Sequence, residues 1–303
     1  MTHIIQALAP VFALILLGHL MHRGRFPSVA FWEAADRLTF YVLFPALIIH
    51  TLGRADLSDM AVGGMAAALA LPVLANAGFL SLLRPRLGLD GPAYTSVFQG
   101  AIRPNTFVGL ASAEALFGHA GLTLAAVAVV ALIPLVNVLS ALSLARHARD
   151  KTSRLMQIRL IALNPLILAC LIGIGLNVSG IGLPSISAPI FAILGQAALT
   201  LGLLSVGAGL DLAAARRSGP PLWLSSGLKL IALPAMTFGL LFLFDIEGIT
   251  ATIALLFAAL PTSATAYVMA RQLGGDHTLM ASIITTEVVL AIITLPVVLY
   301  FVR

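Results

Sequence analysis

Residues 99–106 read Gln99-Gly100-Ala101-Ile102-Arg103-Pro104-Asn105-Thr106, in the middle of an apolar stretch running from 93 to 117. A proline there removes a helical N–H, and its ring clashes with the carbonyl one turn back, so a helix breaks at this point. Inside a lipid bilayer the freed backbone groups need partners from protein or water. Asn105 and Thr106 follow the break directly and can supply them. The arrangement recurs at Ala259-Leu260-Pro261-Thr262-Ser263-Ala264-Thr265, inside the apolar run 249–270, with Thr262, Ser263 and Thr265 in the same role. If the two breaks cross near mid-membrane, two half-helix N-termini aim N–H groups and positive dipole ends at one place, which suits an anion.

Around these two stretches lie eight more, at 4–21, 36–53, 60–83, 121–145, 160–178, 187–210, 220–244 and 277–302. Most are long enough to cross a hydrocarbon core of about 30 Å as helix. Polar–apolar alternation, the mark of a barrel strand, is missing from them. Composition agrees: 60% of the 303 residues are apolar, only 10% are charged, and the mean hydropathy is +1.05. A soluble domain carries roughly a quarter charged residues. The single cysteine, Cys170, excludes an internal disulfide framework and a Cys-based zinc cluster. The net charge of +5 comes from short basic clusters between apolar runs, which argues for topology-setting loops and against nucleic-acid binding.

Those clusters predict an orientation. With odd-to-even connections placed inside, the inner loops hold Arg23, Arg25, Arg37, Arg84, Arg86, Arg146, Arg149, Lys151, Arg154, Arg159, Arg216, Arg217 and Arg271. The outer side holds Arg54 and Arg303, together with Asp56, Asp59, Asp245 and Glu247. The first apolar run has its basic flank after it, the reverse of a cleavable signal, and reads as a retained helix. The expected fold is therefore all-α: a polytopic inner-membrane protein of ten transmembrane helices with both termini outside. A basic cytoplasmic loop, 146–159, separates five spans (1–145) from five more (160–303). Five is odd, so a second half resembling the first would be inverted. Pro10 against Pro165 and Pro104 against Pro261, at offsets of 155 and 157, support such a repeat, with spans 4 and 9 as the crossed, broken helices. The remaining span prolines, Pro45, Pro72, Pro134, Pro234 and Pro296, read as kinks.

Arg103 is the sharpest single residue. A guanidinium deep in a bilayer costs at least about 2.5–3.5 kcal/mol, so it faces a wet cavity or a counter-ion. Its fork also fits a carboxylate bidentately. Counter-ions within the chain would be Glu114, which stands near the outer interface, or Glu287, deeper in span 10. Glu287 reads either as a proton-carrying carboxyl or as a structural ion-pair partner of Arg103 or Lys229. Lys229, in span 8, has a stem long enough to reach the interface. Asn137 and Gln99 are further polar candidates around the same cavity. Asn137, Asn76 in span 3, Asn164 before Pro165 and Gln196 in span 7 are uncharged and could equally satisfy neighbouring backbone or bind helices together. No HExxH, GxSxG, P-loop or paired intramembrane aspartate occurs in the sequence, and no metal, cofactor or enzyme activity is expected.

With these residues in view, the chain resembles the auxin efflux carrier family, which includes plant PIN carriers and bacterial malonate and malate permeases. The resemblance rests on Phe40-Tyr41-Val42-Leu43-Phe44-Pro45-Ala46-Leu47, on Gln99 through Gly109, on Leu163-Asn164-Pro165, and on Leu260-Pro261-Thr262 with Met269-Ala270. It extends over essentially the whole chain. It implies a crossed-helix fold shared with bile-acid symporters and sodium/proton antiporters. Spans 1, 2, 6 and 7 would form a scaffold, and spans 3–5 and 8–10 a moving transport domain. It further implies that Asn105 beside Pro104 meets a substrate carboxylate, that Pro261 marks the opposite break, and that the chain pairs as a homodimer through the scaffold. The central loop, about fifteen residues long, leaves no room for the regulatory domain of the plant carriers. The expected function is secondary transport of a small organic anion. Alternatives are a sodium-coupled symporter of the bile-acid type, for which few clustered oxygen ligands are on offer, and a non-transporting sensor or scaffold.

Overall fold

The computed structural model describes residues 2–55, 62–147, 163–215 and 219–301. Asp56, Asp59, Arg149, Lys151, Arg154, Arg159, Arg216, Arg217 and Arg303 lie outside them, and so does most of the 146–159 loop.

Helix dominates the described residues, and no strand occurs among them. The helices are α1 (Thr2–Arg23), α2 (Val29–Leu38), α3 (Phe44–Gly53), α4 (Val62–Leu87), α5 (Gly91–Ile102), α6 (Thr106–His147) and α7 (Pro165–Val178). They continue with α8 (Ser187–Ala208), α9 (Leu212–Ala215), α10 (Pro220–Gly227), α11 (Leu233–Leu243), α12 (Gly248–Ala259), α13 (Thr265–Gln272) and α14 (His277–Tyr300). Helix starts follow local chemistry. Asp90 and Asp276 cap α5 and α14, each accepting the N–H three residues on at 2.9 Å. Asn164 caps α7 by accepting from Leu166 N at 2.9 Å, with Pro165 as the first helical residue.

Among the described residues, seven helical runs are long and apolar enough to cross a membrane, and Pro165–Val178 and Gly248–Ala259 are shorter apolar helices. The run from Gly91 to His147 counts once among the seven but carries two of the apolar stretches, 93–117 and 121–145. Its α6 part turns at Gly118, where φ is 55° and ψ −139°. Large apolar side chains such as Phe242 and Leu82 stand exposed on the outside, the surface a lipid-facing protein presents and a water-facing one rarely does.

The prolines divide differently from a set of uniform kinks. Pro72, Pro134 and Pro296 sit inside continuous helices. Pro45 and Pro234 each follow a five-residue π-helical turn, Thr39–Leu43 and Leu228–Ala232. The wider turn lets the chain pass the proline ring, which would clash with the carbonyl four residues earlier in regular helix.

α1 packs along α8, and α3 packs on α7 and α8. The α1–α8 approach is close: a Cβ on Gly207 would collide with the Ile15 carbonyl oxygen. Gly207→Ala is expected to cost about 1–3 kcal/mol, as overpacking does. Gly78→Ala, on a helix face with open space around it, is expected to be neutral or to gain up to about 1 kcal/mol. Paired melting curves in detergent check both. Equal melting temperatures for the two variants would show that the α1–α8 contact does not constrain the fold.

Candidate functional site at the crossed breaks

Both breaks form where the prolines require them. A residue before proline is pushed out of the helical region. Arg103 accordingly has φ −84° and ψ 125°, and Leu260 has φ −61° and ψ 144°. α5 therefore stops at Ile102 and α6 starts at Thr106, while α12 stops at Ala259 and α13 starts at Thr265.

The two breaks touch. Asn105 N donates to Pro261 O at 2.8 Å, and Thr262 Oγ1 donates to Gly100 O at 2.6 Å. Asn105 also caps α6, its Oδ1 accepting from Val108 N at 3.3 Å. Ser263 Oγ lies 3.0 Å from Thr265 Oγ1 and accepts from Thr265 N at 3.3 Å, which closes the first turn of α13. Two half-helices thus end, and two begin, at one buried place. Asn105, Thr106, Thr262 and Ser263 are all buried there.

Carbonyls at the end of a helix lack internal donors, and neighbouring spans supply them here. Asn76 Nδ2 on α4 donates to Ala101 O at 3.3 Å and to Leu228 O at 3.1 Å. Lys229 Nζ donates to Ala258 O at 3.2 Å. Ala101 and Ala258 each stand three residues before the proline of their break.

Arg103 is buried, and its hydrogen-bond partners among the described residues are neutral: Nη1 to Ser140 Oγ at 3.2 Å and Met269 Sδ at 3.1 Å, and Nη2 to Thr265 Oγ1 at 3.0 Å. Neither glutamate is among these partners. Glu114 is exposed, and Glu287 is engaged elsewhere. Glu287 Oε2 accepts from Thr262 N at 2.9 Å, while Oε1 lies 3.5 Å from the hydroxyls of Ser225 and Ser226. Lys229 is only 1% exposed, which corrects the expectation that its stem reaches the interface. It sits on the Leu228–Ala232 π turn and points inward, its Nζ donating to Ala258 O.

Several donors stay open. Arg103 Nε, Asn105 Nδ2 and both polar atoms of the Gln99 side chain are buried without a hydrogen-bond partner among the described residues. Such groups cost about 1–3 kcal/mol each unless something pairs with them. A small cavity of about 10 Å³, on the scale of one water molecule, touches the crossing from the Lys229 side and is lined by Pro104, Lys229, Thr237 and Ala258. Asn137 is buried on α6. Ser140, Ser225 and Ser226 enter the site without a signal in the sequence, since serines recur throughout the spans.

Arg103, Lys229 and Glu287 are the fully buried charged residues among those described, two positive and one negative. A crossing with an excess of positive charge and open N–H donors can hold an anion.

The comparisons with known proteins agree with a transport role. The family model described as "Membrane transport protein" matches residues 3–299. An "Uncharacterized transporter" of Methanothermobacter thermautotrophicus is 28% identical over 299 residues, which covers 96% of each chain. The match spans nearly the whole of this chain, both breaks included, and the chain belongs to the membrane transport protein family, of the auxin efflux carrier type.

Proposed function

We propose that this protein carries small carboxylate anions across the inner membrane by alternating access, with the substrate bound at the crossing of the two broken spans. The observation that carries this is a buried guanidinium whose partners among the described residues are all neutral. A buried charge without a counter-ion is costly, and a carboxylate supplies the missing one. Arg103 Nε and Asn105 Nδ2 are open donors for it, and the N-terminus of α6 lies beside them.

The wider architecture of the proposal is ten crossings in a 5+5 inverted repeat with outer termini. Packing supports a division of labour within it. α1, α3, α7 and α8 group together, whereas α4, α5, α6, α11, α12 and α14 pack around the breaks. The first group is the scaffold, through which two copies pair, and the second moves. Phe107, one residue into the second half of span 4, lies against both groups. Its ring meets Phe44 at 4.7 Å, and it fills the space in front of Gly202, where a Cβ would strike the ring. Gly202→Leu is expected to slow flux at least about tenfold, the effect of about 1.4 kcal/mol on the moving step. Carboxylate affinity would change far less. An equal loss of affinity and flux would place Gly202 in the binding site instead.

Uptake of an anion against an inside-negative potential costs about 2.3 kcal/mol per 100 mV. Inward transport therefore needs a co-transported cation, and Glu287 is the carboxyl placed to carry a proton for it. Outward transport needs none. A thermal-shift screen of mono- and dicarboxylates on purified protein tests the substrate class. Saturable stabilisation by small carboxylates is expected, and stabilisation by neutral or cationic compounds instead would refute the proposal.

A further inference from the structure

Three span ends meet on one aromatic ring, away from the crossing. Tyr94, in the first turn of α5, is buried. The Arg84 guanidinium, in the last turn of α4, stands 5.3 Å from the centre of its ring. The His147 ring, at the end of α6, meets it edge-on at 5.0 Å. The ends are pressed together, since a Cβ on Gly91 would strike the His147 carbonyl oxygen. Stacking on Tyr94 fixes the guanidinium in place but uses none of its N–H donors in the ring plane. Arg84 Nε is buried without an acceptor among the described residues. Arg86 and Arg146 add positive charge at the same two helix ends. Asp90, the acid that opens α5, is turned to its own helix and accepts from Ala93 N at 2.9 Å. Nearer the middle of the same helices, Phe79 and Leu82 on α4 and Leu142 on α6 stand exposed, as lipid-facing side chains do.

We propose that these span ends form a headgroup site for an anionic phospholipid, whose phosphate accepts from the Arg84 guanidinium beside Tyr94 and whose acyl chains lie over Leu82 and Leu142. The planar fork of an arginine pairs with two phosphate oxygens at once. Basic pockets between spans at the cytoplasmic side hold such headgroups, and the basic loops assign this end of the bundle to that side. A free phosphate ion finds the same donors but not the apolar surface next to them, so the surface favours the lipid. The bound phosphate ties the end of α4 to the ends of α5 and α6, within the group of helices that surrounds the breaks. The site is inferred without reference to any substrate and goes beyond the carrier reading.

The test follows the melting temperature of purified protein in detergent as phosphatidylglycerol, phosphatidylcholine or inorganic phosphate is added, with no carboxylate present. Phosphatidylglycerol is expected to stabilise wild type in a saturable way. Phosphatidylcholine, whose own cation offsets its phosphate, and inorganic phosphate are expected to do so much less. Arg84→Gln is expected to need at least about tenfold more phosphatidylglycerol for the same shift, the effect of losing a hydrogen-bonded charge. Arg37→Gln, which removes an exposed charge on α2 outside the cluster, is expected to respond as wild type does. The proposal is overturned if phosphatidylglycerol stabilises wild type no better than phosphatidylcholine, or if inorganic phosphate stabilises it equally. It is also overturned if Arg84→Gln responds as wild type, or if Arg37→Gln loses as much as Arg84→Gln. Should Arg84→Gln fold poorly, its recovery as monodisperse protein is compared between preparations in the two lipids. Equal recovery supports the site, and rescue by phosphatidylglycerol alone overturns it. Because no carboxylate is present, failure here leaves the substrate reading untouched.

Discussion

Arg103→Gln is expected to weaken carboxylate binding about 10- to 150-fold without lowering the melting temperature of the free protein. A hydrogen bond to a charged group is worth about 1.5–3 kcal/mol, and 1.4 kcal/mol is tenfold in affinity. The second half of the prediction separates binding from structure. Arg103 pairs with Ser140, Met269 and Thr265, and none of them balances its charge. Removing an uncompensated buried charge relieves a desolvation cost, so stability should hold or rise, as at sites where function is kept at the expense of stability. Isothermal titration and melting curves on the same preparation give both numbers. A variant that melts earlier and binds normally would make Arg103 a structural residue.

Glu287→Ala should be the most destabilising change at the crossing, by about 3–5 kcal/mol, the range for removing one member of a buried charged set. It removes the acceptor of Thr262 N and leaves the Ser225 and Ser226 hydroxyls facing a void. Glu287→Gln keeps one acceptor oxygen for Thr262 N and should lose much less. The amide also stands in for a carboxyl that can no longer release its proton. Glu287→Gln is therefore expected to fold, and its inward transport should no longer follow an imposed pH gradient. If Glu287→Gln still concentrates substrate with an unchanged response to that gradient, the carboxyl is structural and the coupling proposal fails.

The sequence exposed the breaks because proline acts locally. Its effect on residue 103 or 260 needs no partner, so both interruptions and their polar followers could be read directly. Helix ends marked by Asp90, Asn164 and Asp276 are equally local. Side-chain pairing across spans is not. Glu287 and Arg103 both looked like deep charges in need of each other, yet Glu287 meets Thr262 N, whose position depends on how far α12 runs before its break. Lys229 looked able to reach the interface because its stem is long. The π turn beneath it, set by Pro234 downstream, turns the residue inward. The match of Asn76 to Lys229 was hidden for a similar reason, since the two residues differ in type and share only the carbonyl position they reach.

The central claim is that the crossing carries carboxylate anions, and flux from preloaded proteoliposomes under an imposed potential tests it most directly. An inside-negative potential should accelerate exit of a small carboxylate through wild-type protein, by the same 2.3 kcal/mol per 100 mV that opposes its entry, and Arg103→Gln should abolish the protein-dependent exit. Carboxylate exit that is no faster than from protein-free vesicles, or that is as fast through Arg103→Gln as through wild type, would contradict the account.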